Sequence, residues 1–375
     1  MTSLPSPSPS PLFSPTPRPG LVLPIQYLRA IAAMMVVWHH ARGQVPSMEA
    51  LTGGTFGPSG VDLFFVISGF IMVFTTTGSA ITPGRFMRRR IVRVVPLYWL
   101  LTLLMVMVAL AAPGLFKTLR VSATTLLQSL FFVPHFSQSF PGFVFPLLVP
   151  GWTLNLEMFF YVLFAASLWL PEHVRLPVFA GFLVGLVATG AVFGPFGSAP
   201  AQTHTSPMLL EFVAGALMAA WSLQGRSIAS KGGSLLLMAI GSAMLVLRDT
   251  PPLGSGTQII GATLVVAGAL DPAFGRWQSR TLRALGDSSY SLYLTHVFTL
   301  GALRAAWVKL LPGAPNLFSA ILFMLLALVC CAMVGWLSYR WIESPVLRRL
   351  TRRRVDAVVS RPEREASRQK VSEPS

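Results

Sequence analysis

A chain of 375 residues that is 53% hydrophobic and only 11% charged, with a mean hydropathy of +0.64, is too apolar for a soluble domain. Its net charge of +16 comes from 29 Lys and Arg against 13 Asp and Glu, and these cationic residues sit between apolar runs. That placement puts a polytopic membrane protein ahead of a nucleic-acid binder, and no nucleic-acid partner is expected.

Residues 1–20 are rich in Pro and Ser with a single Arg18, lack the pattern of a signal peptide, and are expected to be a disordered cytoplasmic tail. Residues 21–347 then read as one all-α transmembrane domain, and 348–375 as a basic cytoplasmic tail. About ten spans are expected, over roughly 24–43, 61–78, 95–113, 151–170, 176–194, 207–224, 233–248, 255–271, 287–310 and 317–341. No internal repeat is visible. The adjacent Cys330 and Cys331 lie inside the last apolar run and give no disulfide framework. Arg85, Arg88, Arg89, Arg90, Arg93, Arg175, Arg226, Lys231, Arg276, Arg280 and Arg283 fall on one side of this set, and only a few cations fall on the other. The positive-inside rule therefore places both termini in the cytoplasm. The loop 114–150 lies outside, and its apolar piece Thr124–Pro134 is expected to be interfacial or re-entrant.

Several polar residues stand where hydrocarbon should be. In the first span, Arg29 and His40 are eleven residues apart, which puts them on one helix face within about 20° and roughly 16 Å apart along the axis. His39 points about 80° away from that face. Such a pair belongs against protein or water rather than lipid. Asp62 opens the second span, where it can complement the helix dipole or shape a site. Arg88, Arg89, Arg90 and Arg93 precede the third span and suit a polyanion, either lipid headgroups or the phosphates of a soluble cofactor. Glu157, in WTLNLEMFFY, lies about 9 Å in from the outer end of the fourth span, at a depth similar to His40. A His beside a carboxylate is a general-base pair or a structural ion pair. Glu211 is shallow on the outer side of the sixth span, beside small residues that favour close helix packing. The ninth span opens LGDSSYSLYLTH; its Ser and Tyr residues, Tyr290 among them, lead to His296 as a polar channel or as interhelical hydrogen bonds. Arg340 and Glu343, three residues apart, are expected to pair at the inner interface. No metal-ligand set is read.

These residues carry a family resemblance. Arg29 and His40 with ten residues between them, GVDLFFVISGF, RRRIVRVVPLYW, WTLNLEMFFY and SYSLYLTH occur in the order found in the acyltransferase 3 family of integral membrane acyltransferases. The chain resembles that family over about residues 24–347, and most nearly the subgroup that acetylates bacterial exopolysaccharide. Trp38 and His39 depart from the residues common there. The resemblance implies transfer of an acyl group from cytoplasmic acyl-CoA to a glycan, and implies that His40 with Glu157 is essential.

The resulting expectation is a bacterial inner-membrane O-acyltransferase, most nearly an O-acetyltransferase. Catalytic residues are His40, Glu157 and Arg29, with Arg88, Arg89, Arg90 and Arg93 on the donor. Asp62, Glu211, His296 and Tyr290 are expected on the substrate path. No cofactor is held permanently; acyl-CoA is a co-substrate, and polysaccharide-synthesis machinery is the expected neighbour. The rivals are a glycan transporter, which would show paired broken helices in related halves, and a non-enzymatic subunit, which would need no Arg/His/Glu constellation.

Overall fold

The computed structural model describes residues 19–44, 57–112, 119–225, 231–247, 254–271, 274, 278–310 and 316–350. The tail readings for 1–18 and 351–375 lie outside them, as do Arg226, Arg276 and the loop 45–56.

All regular structure among the described residues is helical. In chain order the helices are α1 (Pro19–Arg42), α2 (Ser59–Thr76), α3 (Pro83–Ala111), α4 (Ala123–Leu130), α5 (Gly151–Ser167), α6 (Glu172–Phe193), α7 (Ala199–His204), α8 (Leu209–Leu223), α9 (Lys231–Val246), α10 (Gly254–Ala269), α11 (Arg280–Asp287), α12 (Ser289–Leu310) and α13 (Leu317–Ser338). A π turn, Tyr339–Glu343, follows α13 and the chain stays helical to Leu350. Five described segments are long and apolar enough to cross a membrane: Ser59–Thr76, Pro83–Ala111, Glu172–Phe193, Ala199–Leu223 and Leu317–Leu350. The chain is thus a multi-pass membrane protein. α1 and α12 are not among the five, and they carry the polar stripes. α6 turns Phe182, Val192 and Phe193 outward, 52%, 70% and 71% exposed, as a lipid-facing helix does.

The start of the third span differs from the sequence reading. The arginine run is not a connection before the third span but the first part of α3, a single helix of 29 residues. Thr82 caps it by accepting from Arg85 N at 3.3 Å, and Pro83 fills the first turn. Arg does not oppose helix, so the charged stretch and the apolar stretch share one axis. The outer-loop apolar piece forms α4, eight residues long and so about 12 Å, too short to span. Its end is tied to α3, where Tyr98 donates to Ser129 O (3.1 Å) and Trp99 to Leu130 O (2.7 Å).

Close approach places the central helices. α2 and α8 cross backbone to backbone: a Cβ on Gly215 would lie 1.9 Å from Val66 O, and one on Gly69 2.0 Å from Phe212 O. α1 packs against α2, α11, α12 and α13. Its first turns are pinned by Tyr27, whose hydroxyl accepts from Ser279 N at 2.7 Å.

Candidate active site

The Arg29–His40 face of α1 lies against α12, and the two helices touch at three levels. Arg29 Nη2 donates to Ser289 Oγ at 2.9 Å. Above it, Ala33 and Val37 pack with Leu292 in one apolar cluster. At the top the rings of His40 and His296 stand with centroids 4.9 Å apart. Residue numbers rise together on both helices, so α1 and α12 run parallel. The eleven residues from Arg29 to His40 rise about 16 Å, and the seven from Ser289 to His296 about 10 Å. The length of the arginine side chain covers the difference.

His40 Nδ1 lies 2.9 Å from Val36 O. A carbonyl only accepts, so Nδ1 carries the proton and Nε2 keeps its lone pair. The residue is exposed at the end of α1. His39 is turned to another neighbour: a Cβ on Gly57, before α2, would lie 2.3 Å from His39 Cβ. Helical phase thus separates the two imidazoles as their spacing implies.

Beside this seam is a cavity of about 130 Å³. Arg29, Ser289, Tyr290 and Tyr293 line one side, Ser68 and Phe64 of α2 another, and Glu157 and Tyr161 of α5 a third. Arg90 and Arg93 of α3 close one end. Glu157 accepts from Ser68 Oγ at 3.1 Å and from the Tyr161 hydroxyl. It forms no ion pair or hydrogen bond with His40, which is not part of the cavity wall. The two residues that the sequence was expected to place at one depth are therefore joined to different neighbours.

The four arginines divide in the same way. Arg88 and Arg89 are exposed, and Arg88 donates to Leu350 O at 3.0 Å. Arg90 and Arg93, three apart, face inward. Arg90 lies over the rings of Phe86 and Tyr161, 5.2 and 5.5 Å from their centroids, and its buried Nε has no hydrogen-bond acceptor. Arg93 lies 5.8 Å from the Tyr290 centroid and pairs with Glu343. Glu343 also accepts from Ser291 Oγ at 2.5 Å. This corrects the expected Arg340–Glu343 pair. The π turn widens the helix there, carrying Glu343 to 3% exposure while Arg340 lies over the Trp336 ring. Three guanidinium groups, those of Arg29, Arg90 and Arg93, and one carboxyl group, that of Glu157, line the cavity.

Tyr290 donates to Val94 O at 2.6 Å. Tyr293 is fixed by Thr153 Oγ1 (2.9 Å) and Pro150 O (3.1 Å), so its ring forms a stationary wall. Asp62 and Glu211 are each 1% exposed in the first turns of α2 and α8, and neither lines the cavity. Ser68 and Tyr161 are not among the candidates that the sequence offers. Tyr161 has a signal there, since it lies four residues beyond Glu157 on the same helix face; Ser68 has none.

A cavity lined by three arginines among apolar helices, beside a helix seam that ends in an exposed imidazole, is the candidate site of a multi-pass membrane protein. The chain belongs to the acyltransferase 3 family: residues 23–337 match its acyltransferase domain. It is accordingly an acyltransferase. It is 41% identical over 307 residues to the exopolysaccharide production protein ExoZ of Rhizobium meliloti, covering 81% of this chain and 93% of that protein. It is 27% identical over 358 residues to the acyltransferase MdmB of Streptomyces mycarofaciens, covering 82% and 85%. Against the O-acetyltransferase OatA of Staphylococcus aureus it is 26% identical over 372 residues, spanning 89% of this chain and 58% of OatA. No solved structure matches it.

Proposed function

We propose that this protein is an O-acetyltransferase of the inner membrane that moves an acetyl group from cytoplasmic acetyl-CoA to an extracellular polysaccharide. In this reading ten spans cross the membrane and both termini are cytoplasmic. The observation that carries it is the cavity between Arg90/Arg93 and Tyr293, lined by three arginines, with a buried Arg90 N–H lacking an acceptor. A buried donor of that kind suits an arriving anion. The phosphates of CoA dock on Arg90 and Arg93, with Arg88 and Arg89 at the approach, and the pantetheine arm lies along Glu157, Arg29 and Tyr290. Glu157, held by Ser68 and Tyr161, accepts from its amide N–H groups.

His40 Nε2, oriented through Nδ1 by Val36 O, takes the proton of an acceptor hydroxyl that comes from the outer side. The hydroxyl oxygen attacks the thioester carbonyl, the C–S bond breaks, and the proton ends on the thiolate. Asp62 and Glu211 shape the acceptor side. The names of ExoZ and OatA support a polysaccharide acceptor, and with it contact with polysaccharide-synthesis machinery.

The test supplies labelled acetyl-CoA and candidate polysaccharides to purified protein in vesicles. Labelled polysaccharide is expected. His40→Ala should lose about 10²–10⁴-fold in rate, whereas His39→Ala should keep most activity. Failure of every glycan to become labelled, or a dead His39 variant beside a healthy His40 variant, contradicts the reading.

A further inference from the structure

The cavity changes character along its length, and contacts across it fix the order. At one end Arg90 lies over Tyr161 and Arg93 over Tyr290. In the middle Ser68 donates to Glu157. At the opposite end the Tyr293 hydroxyl lies 2.9 Å from Thr153 Oγ1, and the Phe64 ring stands edge-on to the Tyr293 ring, 6.0 Å by centroids. On α2 the lining runs from Val61 through Phe64 and Ser68 to Met72, eleven residues and so about 16 Å. All four charged residues of the lining, Arg29, Arg90, Arg93 and Glu157, belong to the arginine end and the middle. The opposite end is made by Val61, Phe64, Phe65 and Leu154, and the hydroxyls of Thr153 and Tyr293 are taken up by Pro150 O and by each other. Val61, Phe65, Thr153, Leu154 and Tyr293 are buried, so this end is blind. Phe64 is half-buried and packs against both apolar clusters, the main core and the one between α1, α12 and α13. A ring wedged between two packed clusters does not swing aside.

We propose that this blind end is the acyl pocket of the donor, and that Phe64 sets the longest acyl group that enters it. This rests on the reading of the cavity as the acyl-CoA site. An acyl-CoA carries the same order of chemistry along its length: anionic phosphates, then amides, then the thioester with its alkyl tip. With the phosphates on Arg90 and Arg93 and the amides along Glu157, the tip points at Phe64, Val61 and Leu154. The methyl of an acetyl group meets an apolar surface there. Each further methylene must displace packed side chains, and overfilling a close-packed site is unfavourable. An apolar pocket discriminates about 10–200-fold for one methylene.

The test gives purified protein in vesicles acetyl-, propionyl- or butyryl-CoA, each labelled in the acyl group, with a polysaccharide that the unmodified protein acylates. The unmodified protein should favour acetyl over butyryl about 10-fold or more in kcat/KM. Phe64→Ala should raise the butyryl-to-acetyl ratio about 10-fold or more, and Phe64→Leu should raise it less. Ile71 lines the same cavity seven residues further along α2, toward the arginines. Ile71→Ala should leave the ratio within a few-fold, whatever it does to the rate. Should Phe64→Ala fail to fold, Phe64→Leu and Val61→Ala read the same ratio. An unchanged ratio in the folded Phe64 and Val61 variants, or an equal change in Ile71→Ala, would overturn the acyl pocket and leave the donor site intact. No labelled polysaccharide from any donor would instead overturn the reading of function. Titration of the three thioesters into the same variants then decides the pocket, by the ratio of their dissociation constants.

Discussion

Arg90 and Arg89 are neighbours in the chain with opposite surroundings, and donor binding should tell them apart. Arg90 faces the cavity with a buried N–H that has no acceptor, while Arg89 is exposed. Arg90→Ala is therefore expected to weaken CoA binding about 10-fold or more, since a charge-assisted hydrogen bond contributes roughly 1.5–3 kcal/mol. Arg89→Ala should change it less than threefold. Isothermal titration of both variants in detergent reads the difference, and equal losses would place the donor outside the cavity. Periodicity in the sequence links Arg89 to Arg93, and α3 instead turns Arg90 and Arg93 inward together. A side chain is legible from sequence where one helix decides its direction. The rotation between positions 29 and 40 puts Arg29 and His40 on one stripe and His39 off it, and α12 lies along that stripe. Side chains that depend on two helices are not legible in this way. Spacing along the chain suggests one depth for Glu157 and His40, but depth along an axis carries no azimuth, and Ser68 on α2 holds the carboxylate.

Whole helices are easier to read, because an apolar run of membrane length has few alternatives. What the run cannot tell is where a helix continues into charge. α3 begins at Pro83, twelve residues before its expected start at 95, because Thr82 and Pro83 are start signals that hydropathy does not register. At α12 the opposite occurs: a break at Ser288 separates the amphipathic α11 from α12. The small residues of the sixth span do mark a crossing, since Gly215 meets α2 with no room for a side chain. Gly215→Val must push the α2 and α8 backbones apart. It should lower stability by about 1–3 kcal/mol or more, seen as a lower thermal midpoint in detergent. Gly185 gives the control, because a Cβ added there would meet no atom within 4 Å. Gly185→Ala should leave that midpoint unchanged or raise it.

At the scale of the molecule, the proposed function requires two sides. The cavity is closed at one end by arginines of the basic side, while His40 lies at the far end of α1. If the arginine end is cytoplasmic, an impermeant thiol reagent added to intact cells should label Ser137→Cys in the loop after α4 and spare Arg88→Cys until the cells are opened. The reverse pattern would invert the topology and the direction of transfer. This polarity is read from loop charges alone, because those residues act by sign and number, without regard to the packing that hides Glu343.

The partners that complete the site also meet late. Arg29 and Ser289 are 260 positions apart, Tyr27 and Ser279 are 252, and Arg93 and Glu343 are 250. At synthesis rates of about 5–20 residues per second, roughly 10–50 s separate the emergence of each from that of its mate. During that interval α1, the earliest of these helices to reach the bilayer, holds two arginines and two histidines with α12 still unmade. The nearest early companion is α2, whose Gly60 sits so close to Ala32 O that a Cβ would stand 2.3 Å away. That contact can shelter α1 within about the first 80 residues of synthesis. The glycine at position 60 then matters twice: for the finished packing, and for keeping a half-made chain from losing its first helix to lipid.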